Sequence, residues 1–407
     1  MTKRDFLPII LGSDENAYGN VRLIREKYDV VPLILCKRLL IPTMYSRLFE
    51  YRCVADFDKE EVFVPTLLSV LKEKSKEYEK LVVIACSDYY AALMSKNYES
   101  FEGLVANAFP SSELLGCFET KDKFYALCDE YGLDYPKTVV CTKEERLSVV
   151  NTLPFSFPIV AKPENSNAYE YLHLSFEGKK KVYFLDSKEA YLKVAEALNR
   201  VGYTGKMILQ EYIEGGDDAM RVINSYSDNE GVVRTSCLGQ PVLEEYAPYT
   251  LGNYAAIITR NESEVYERVQ AFLEKIGYRG FSNIDMKYDA KSGRYLMFEI
   301  NPRLGRSSYF VRTAGINMME ELIERVVYNN CHAPIFGNKR AMWSNVPIGI
   351  LKKYVKNEEL QKEIRELSKN CVFTLRCRED FSLKRYYRIS RFYFSHYKNF
   401  RRYYFQK

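Results

Sequence analysis

The chain has 407 residues, 47% apolar and 28% charged, with a net charge of +5. This composition is ordinary for a globular protein, and the length is too great for one core, so two or three domains are expected. Ten cysteines without a Cys-x-x-Cys pair, and only His173, His332 and His396, argue against a zinc site and a disulfide framework. They point instead to buried thiols in a reducing cytosol. No apolar run is long enough to span a bilayer, and Met1-Thr2-Lys3-Arg4-Asp5-Phe6 leads straight into a strand without a signal-peptide pattern.

The first region, residues 1–116, opens with the apolar run Phe6-Leu7-Pro8-Ile9-Ile10-Leu11 and then Gly12-Ser13-Asp14. A helical pattern follows through Tyr28, a strand from Val30 to Cys36, and another from Leu81 to Cys86 ending in Ser87-Asp88. Short apolar runs alternating with helices predict a parallel sheet with helices on both faces. Ser13, Asp14, Ser87 and Asp88 stand just past strand ends. Ligands bind there in such sheets, and Ser and Asp are also favoured helix caps, so both readings stand. The Gly12…Gly19 spacing is not a dinucleotide fingerprint.

The second region spans residues 117–332. Thr120-Lys121-Asp122-Lys123 opens a helix to Tyr131, stopped by Gly132. Tyr135 to Val140 is extended, and Phe157 to Pro163 is a strand ending on Lys162. Then come the polar loop Glu164-Asn165-Ser166-Asn167-Ala168, a basic strand from Lys179 to Phe184, and the strand Met207 to Ile213, running into Glu214-Gly215-Gly216-Asp217-Asp218. Strand lysines facing a cleft can neutralise polyphosphate as point charges.

A hairpin closes this region. Phe281 to Lys287 and Leu296 to Arg303 read as strands around a polar loop holding Gly293. Side chains alternate along a strand, so Glu299 and Asn301 share one face while Ile300 packs behind them, and Asp285 faces away from Ile284 and Met286. Two carboxylates and an amide oxygen in an apolar setting call for a cation, and magnesium takes such hard oxygens together with phosphates. Arg303, Arg306 and Arg312 follow closely, and arginine grips carboxylate or phosphate with paired hydrogen bonds. Solvated or helix-capping roles are the alternative for Arg306 and Arg312.

The third region, residues 333–407, starts with the breakers Pro334, Gly337 and Pro347, and Glu358 to Lys369 looks helical. From Ser382 onward there is no acid, and basic and aromatic residues interleave. An arm packed on the body with its cations wet, an anionic membrane surface, and a nucleic acid all suit that mixture, the last least well.

In combination, Lys123, Val160-Ala161-Lys162-Pro163, Gln210 to Gly215, Asp285 and Phe298 to Arg303 resemble the ATP-grasp superfamily of carboxylate–amine ligases. The resemblance implies an α/β and α+β architecture: an N-terminal Rossmann-like (pre-ATP-grasp) domain, a two-subdomain ATP-grasp fold holding ATP between the subdomains, and a C-terminal basic extension. It implies that Lys123 and Lys162 contact phosphates, that Glu211, Tyr212 and Ile213 line the adenine slot, and that Asp218, or else Asp217, meets the ribose. Asp285, Glu299 and Asn301 would hold two magnesium ions. Arg303 would meet the reacting acyl phosphate, with Lys162 as its catalytic companion, and Arg306 and Arg312 would join Arg303 in binding substrate. The loop after Lys162 departs from the family in lacking glycine.

A narrower resemblance, to D-aspartate ligases, rests on Pro8 to Gly19, Glu164 to Val182, Leu243-Glu244-Glu245-Tyr246 and Leu251-Gly252-Asn253-Tyr254. It implies that the β-carboxylate of D-aspartate is activated as an acyl phosphate and joined to the lysine side chain of a peptidoglycan precursor. It implies a cytoplasmic protein, for which the inner membrane face is one expected place of work. The alternatives are a ligase for another amino acid or peptide, and a catalytically idle nucleotide-regulated protein that binds a membrane or nucleic acid.

Overall fold

A computed structural model describes residues 3–164 and 169–404. The described chain forms two compact units. The first comprises Met1–Gly116, Gly216–Asp285 and Ile300–Lys407, and the second Cys117–Gly215 and Met286–Glu299.

The first unit contains the expected parallel sheet. Its strands run in the order Glu50–Cys53, Leu33–Cys36, Arg4–Leu11, Tyr78–Ala85, with Ile9 level with both Leu33 and Val83. Alternation sends Leu7, Ile9 and Leu11 to one face and Phe6 and Ile10 to the other. The first set packs with Phe63, Leu67 and Leu71 of the helix Glu60–Lys74, the second with Tyr18, Val21 and Ile24 of the helix Glu15–Lys27. Gly12 makes the exit from the first strand possible: its φ of +129° suits glycine, and an added Cβ would lie 3.1 Å from the Cβ of Cys86. The edge strand Glu50–Cys53 is exposed throughout, so no apolar run marks it in the sequence.

A seven-stranded sheet follows in the order Arg294–Asn301, Gly280–Asp289, Met220–Ser227, Val233–Glu244, Tyr254–Arg260, Met342–Ser344, with Ile335–Phe336 beside Val233–Glu244. The last helix, Leu383–Tyr403, belongs to the first unit and buries Arg385, Ile389, Tyr393, His396 and Phe400 along one face. Arg385 pairs with Asp380 at 2.9 Å and donates to the carbonyls of Pro42 and Met44, and Phe400 packs against Tyr354. The arm reading therefore holds for this face.

The second unit is built on an antiparallel sheet ordered Thr138–Cys141, Met207–Glu211, Ile159–Pro163, Tyr183–Leu185. Ile159 and Ala161 join Met207, Leu209 and the helix residues Tyr191, Ala195 and Leu198 in its core. The expected basic strand shortens to Tyr183–Leu185. Three successive lysines, Lys179 to Lys181, would crowd like charges and bury none of them on either face. The helix Lys121–Tyr131 ends at Gly132 in the left-handed conformation, φ +69°, as expected.

Candidate active site

In the second unit, the strand Ile159–Pro163 alternates between buried Ile159, Ala161 and Pro163 and partly buried Val160 and Lys162. Lys162 therefore stands on the face away from the core. Its ammonium has no hydrogen bond or ion pair among the described residues, and its pKa is pushed down to about 8. Burial is the main cause, repulsion by Lys121 adds to it, and Glu299 opposes it. Lys121 donates to the Phe298 carbonyl and lies 3.3 Å from the Glu299 carboxylate, which is 52% exposed. Two ammonium groups facing a single carboxylate leave an excess of positive charge, as an anionic ligand requires.

Lys121 is the residue that sequence reasoning missed, and the structure does not bring Lys123 to this group. The helix buries Phe124, Tyr125 and Cys128. Lys121 lies one turn before them and shares their face, whereas Lys123 is turned about 200° from Lys121 and is exposed. The helical period carried that signal.

Further along the sheet, Glu211 accepts from the Lys137 amide at 2.8 Å, and its own amide donates to the Lys137 carbonyl. Gln210 is buried and donates to the hydroxyls of Tyr125 and Thr138. Lys287 donates to the carbonyls of Ile213 and Gly215, and its ammonium lies 5.6 Å from the Tyr212 ring centre. Glu211, Tyr212 and Ile213 thus form a fixed edge rather than a loose loop. The expected phosphate-covering loop, Asn165-Ser166-Asn167-Ala168, lies outside the described residues.

In the first unit, Asp285 accepts from Tyr254 at 2.8 Å, from Asn301 at 3.2 Å and from Asn283 at 3.3 Å. These donors orient the carboxylate, and the Asn301 amide nitrogen is committed to it. Glu299 stands two residues before Asn301 on one strand. Contrary to the buried setting expected from sequence, Glu299 is exposed. Its partner Ile300 takes the core position. Among the described residues no cluster of three His, Cys, Asp or Glu side chains forms a metal cage. Within the first unit, the Asp285 carboxylate and the Asn301 side-chain oxygen are donors of the hard kind that suits magnesium shared with phosphate.

Asp217 accepts from the Glu244 amide and the Tyr246 hydroxyl, and Asp218 accepts from the Asn357 side chain at 3.0 Å. Each of the three arginines expected to meet substrate already holds a carboxylate. Arg303 grips Asp88 through two contacts of 2.9 Å, Arg306 grips Glu15 through contacts of 3.0 and 2.9 Å, and Arg312 meets Glu26 at 2.8 Å. For Arg306 the solvated and helix-capping alternatives give way to its ion pair with buried Glu15, whereas Arg312 is 43% exposed in the last turn of Ser308–Ala314 and keeps both alternatives open. Asp14 and Ser87 cap helices, accepting from Ala17 and Tyr90. Burial, reinforced by Glu15, raises the Asp14 pKa to about 6. Burial likewise raises that of Glu245.

Comparison with known proteins follows the same lines. Residues 134–307 match the ATP-grasp domain. The chain is 36% identical over 410 aligned positions to the D-aspartate ligase of Enterococcus faecium (strain Aus0004), covering 98% of this chain and 97% of that one. Among solved structures, the N5-carboxyaminoimidazole synthetase of Staphylococcus aureus matches with a TM-score of 0.61 at 13% identity, over 90% of this chain and 87% of that one. The L-amino acid ligase of Bacillus licheniformis matches with a TM-score of 0.51 at 16% identity, over 80% and 75%. The fold is that of the ATP-grasp enzymes, and the chain belongs to their family of ADP-forming carboxylate–amine ligases. Enzymes of this family use ATP and magnesium.

Proposed function

We propose that this ligase activates the β-carboxylate of D-aspartate and joins it to an amine, the lysine side chain of a peptidoglycan precursor. The observation that carries the substrate is the 36% identity to a D-aspartate ligase across 98% of the chain. The division into residues 1–116, 117–332 and 333–407 is part of the same proposal, with the middle part as the ATP-grasp domain, supported by the match of residues 134–307, and with the work done in the cytoplasm.

Within this reading Lys162 and Lys121 take the triphosphate, Lys121 replacing Lys123. Their adjacent ammonium groups support the assignment, because a bound polyphosphate restores the charge that burial suppresses on Lys162. Glu211, Tyr212 and Ile213 take the adenine and Asp218 the ribose. Asp285, Glu299 and Asn301 are the ligands for magnesium, two ions in our reading, which when bound neutralises phosphate charge. The carboxylate oxygen of the amino acid attacks the γ-phosphate, and ADP leaves. The amine then displaces phosphate from the acyl phosphate, losing one proton. Such transfers need positioning and charge neutralisation more than a protein nucleophile. Arg303 steadies the acyl phosphate, and Arg306 and Arg312, paired with Glu15 and Glu26, complete the substrate side of the proposed site.

ADP release with hydroxylamine as the amine tests the substrate. D-aspartate should give an ATP-dependent hydroxamate, with L-aspartate, D-glutamate and D-alanine at least tenfold less effective. A faster reaction with any of those overturns the substrate assignment. No ADP release with any acid overturns the catalytic reading.

A further inference from the structure

The helix Leu383–Tyr403 has a second side that nothing in the ligase reaction uses. Its inner face is spent on the core through Arg385, Ile389, Tyr393, His396 and Phe400. On the outer side Leu383 is 79% exposed and Phe394 70%, and Tyr386, Tyr387 and Tyr397 are also exposed. At about 100° per residue these five side chains fall within an arc of roughly 100°, along a helix about 31 Å long. Lys384, Arg391, Lys398 and Arg402 fall on a parallel strip beside them, and Arg401 within the arc. All five cations are exposed, and none has an ion pair among the described residues. No Asp or Glu occurs from Ser382 to Lys407. Tyr397, Lys398, Arg401 and Arg402 line an open surface concavity.

From this we infer that the outer face of Leu383–Tyr403 docks on an anionic lipid bilayer. Isolated exposed apolar residues are normal, but a contiguous stripe marks an interaction site. A stripe of Leu, Phe and Tyr beside a stripe of Lys and Arg matches a helix lying in the plane of a membrane. The rings and Leu383 enter the headgroup boundary, and the long cationic stems reach back to lipid phosphates. Unpaired cations with no nearby acid in the helix give the charge complementarity. A nucleic acid would use the cations and stack on the rings, but it offers no apolar phase for Leu383. Among the described residues no helix is long and apolar enough to cross a membrane, so the contact is peripheral.

Deletion of this helix is an unsuitable test, since it would remove Ile389, Tyr393 and Phe400 from the core. The test is co-sedimentation of the full-length protein with vesicles of phosphatidylcholine alone, or of phosphatidylcholine with 30% phosphatidylglycerol. The protein should bind the second at least tenfold more tightly, and added salt should weaken binding steeply. The exposed charge reversal Lys398→Glu/Arg401→Glu/Arg402→Glu should lose at least tenfold in binding. Leu383→Ser/Phe394→Ser should lose several-fold. In both, the thermal midpoint and ATP turnover should match the parent. Equal binding to the two vesicle types overturns the inference without any variant. So does parental binding by either folded variant, or displacement from vesicles by a single-stranded oligonucleotide that binds more tightly at the same salt.

Discussion

Replacing Lys162 with methionine removes one partly buried ammonium and keeps most of the side-chain volume. Burial pushes the Lys162 pKa down from 10.5 to about 8 when no nucleotide is bound. That difference corresponds to ~3 kcal/mol against the charged form, an upper bound because the side chain keeps some solvent. A lysine whose folded pKa is depressed penalises the folded state fully below the folded value, and the penalty vanishes as pH rises through the unfolded value. The variant should therefore be more heat-stable than the parent at pH 7, and the gain should fade between about pH 8 and 10.5.

Nucleotide binding should reverse the sign. At pH 8 about half of the ligand-free molecules carry a neutral Lys162, so binding the triphosphate should draw in about half a proton per ATP. At pH 6.5 this group is already charged and should take up almost none. Calorimetric titration in two buffers of different ionisation heat measures the uptake directly. Lys162→Met should abolish the uptake at pH 8 and weaken ATP binding at least tenfold. If the variant is less stable than the parent at pH 7 and binds ATP equally well, the account of Lys162 is wrong.

Three further outcomes follow from the same geometry. Glu299→Gln should lower turnover more than a hundredfold with an unchanged thermal midpoint, and half the parental activity at saturating magnesium would sink the metal assignment. Lys121→Ala should weaken ATP binding several-fold while Lys123→Ala leaves it within twofold, as read by nucleotide titration. Asp380→Ala should cost about 3–5 kcal/mol in stability. It leaves Arg385 buried without its carboxylate and strips partners from Tyr18 and the Arg47 amide. A denaturation midpoint close to the parent's would contradict that.

The features legible from sequence were those with a strong local period. Phe6 to Leu11 and Met207 to Leu209 read as strands because their apolar runs are continuous, and Gly132 announces a helix end. The sequence concealed features whose partners lie far along the chain. Glu50–Cys53 is held as an edge strand by pairing with Leu33–Cys36, with no apolar signal of its own. By composition the arm shows mainly cations and rings. The spacing of Ile389, Tyr393, His396 and Phe400 already described a buried face. Lys121 was overlooked for the same reason: its neighbours Phe124, Tyr125 and Cys128 decide which lysine turns inward.

The arginines show what neither composition nor spacing can give. Arg303, Arg306 and Arg312 read alike as carboxylate grips, yet their partners differ in how readily they let go. Glu15, the partner of Arg306, has a side chain only 7% exposed, so taking Arg306 away would strand a buried carboxylate at a cost of several kcal/mol. Glu26 is held by Tyr309 and Arg22 as well as by Arg312. Asp88 has a side chain 63% exposed and can be rehydrated when Arg303 leaves it. Exchange of a protein carboxylate for a substrate phosphate is therefore cheapest at Arg303. Arg306 is better suited to hold Glu15 in place than to move between partners, so within the proposed reaction Arg303 is the arginine suited to meet the reacting group, and the part proposed for Arg306 and Arg312 is to shape the ground around it.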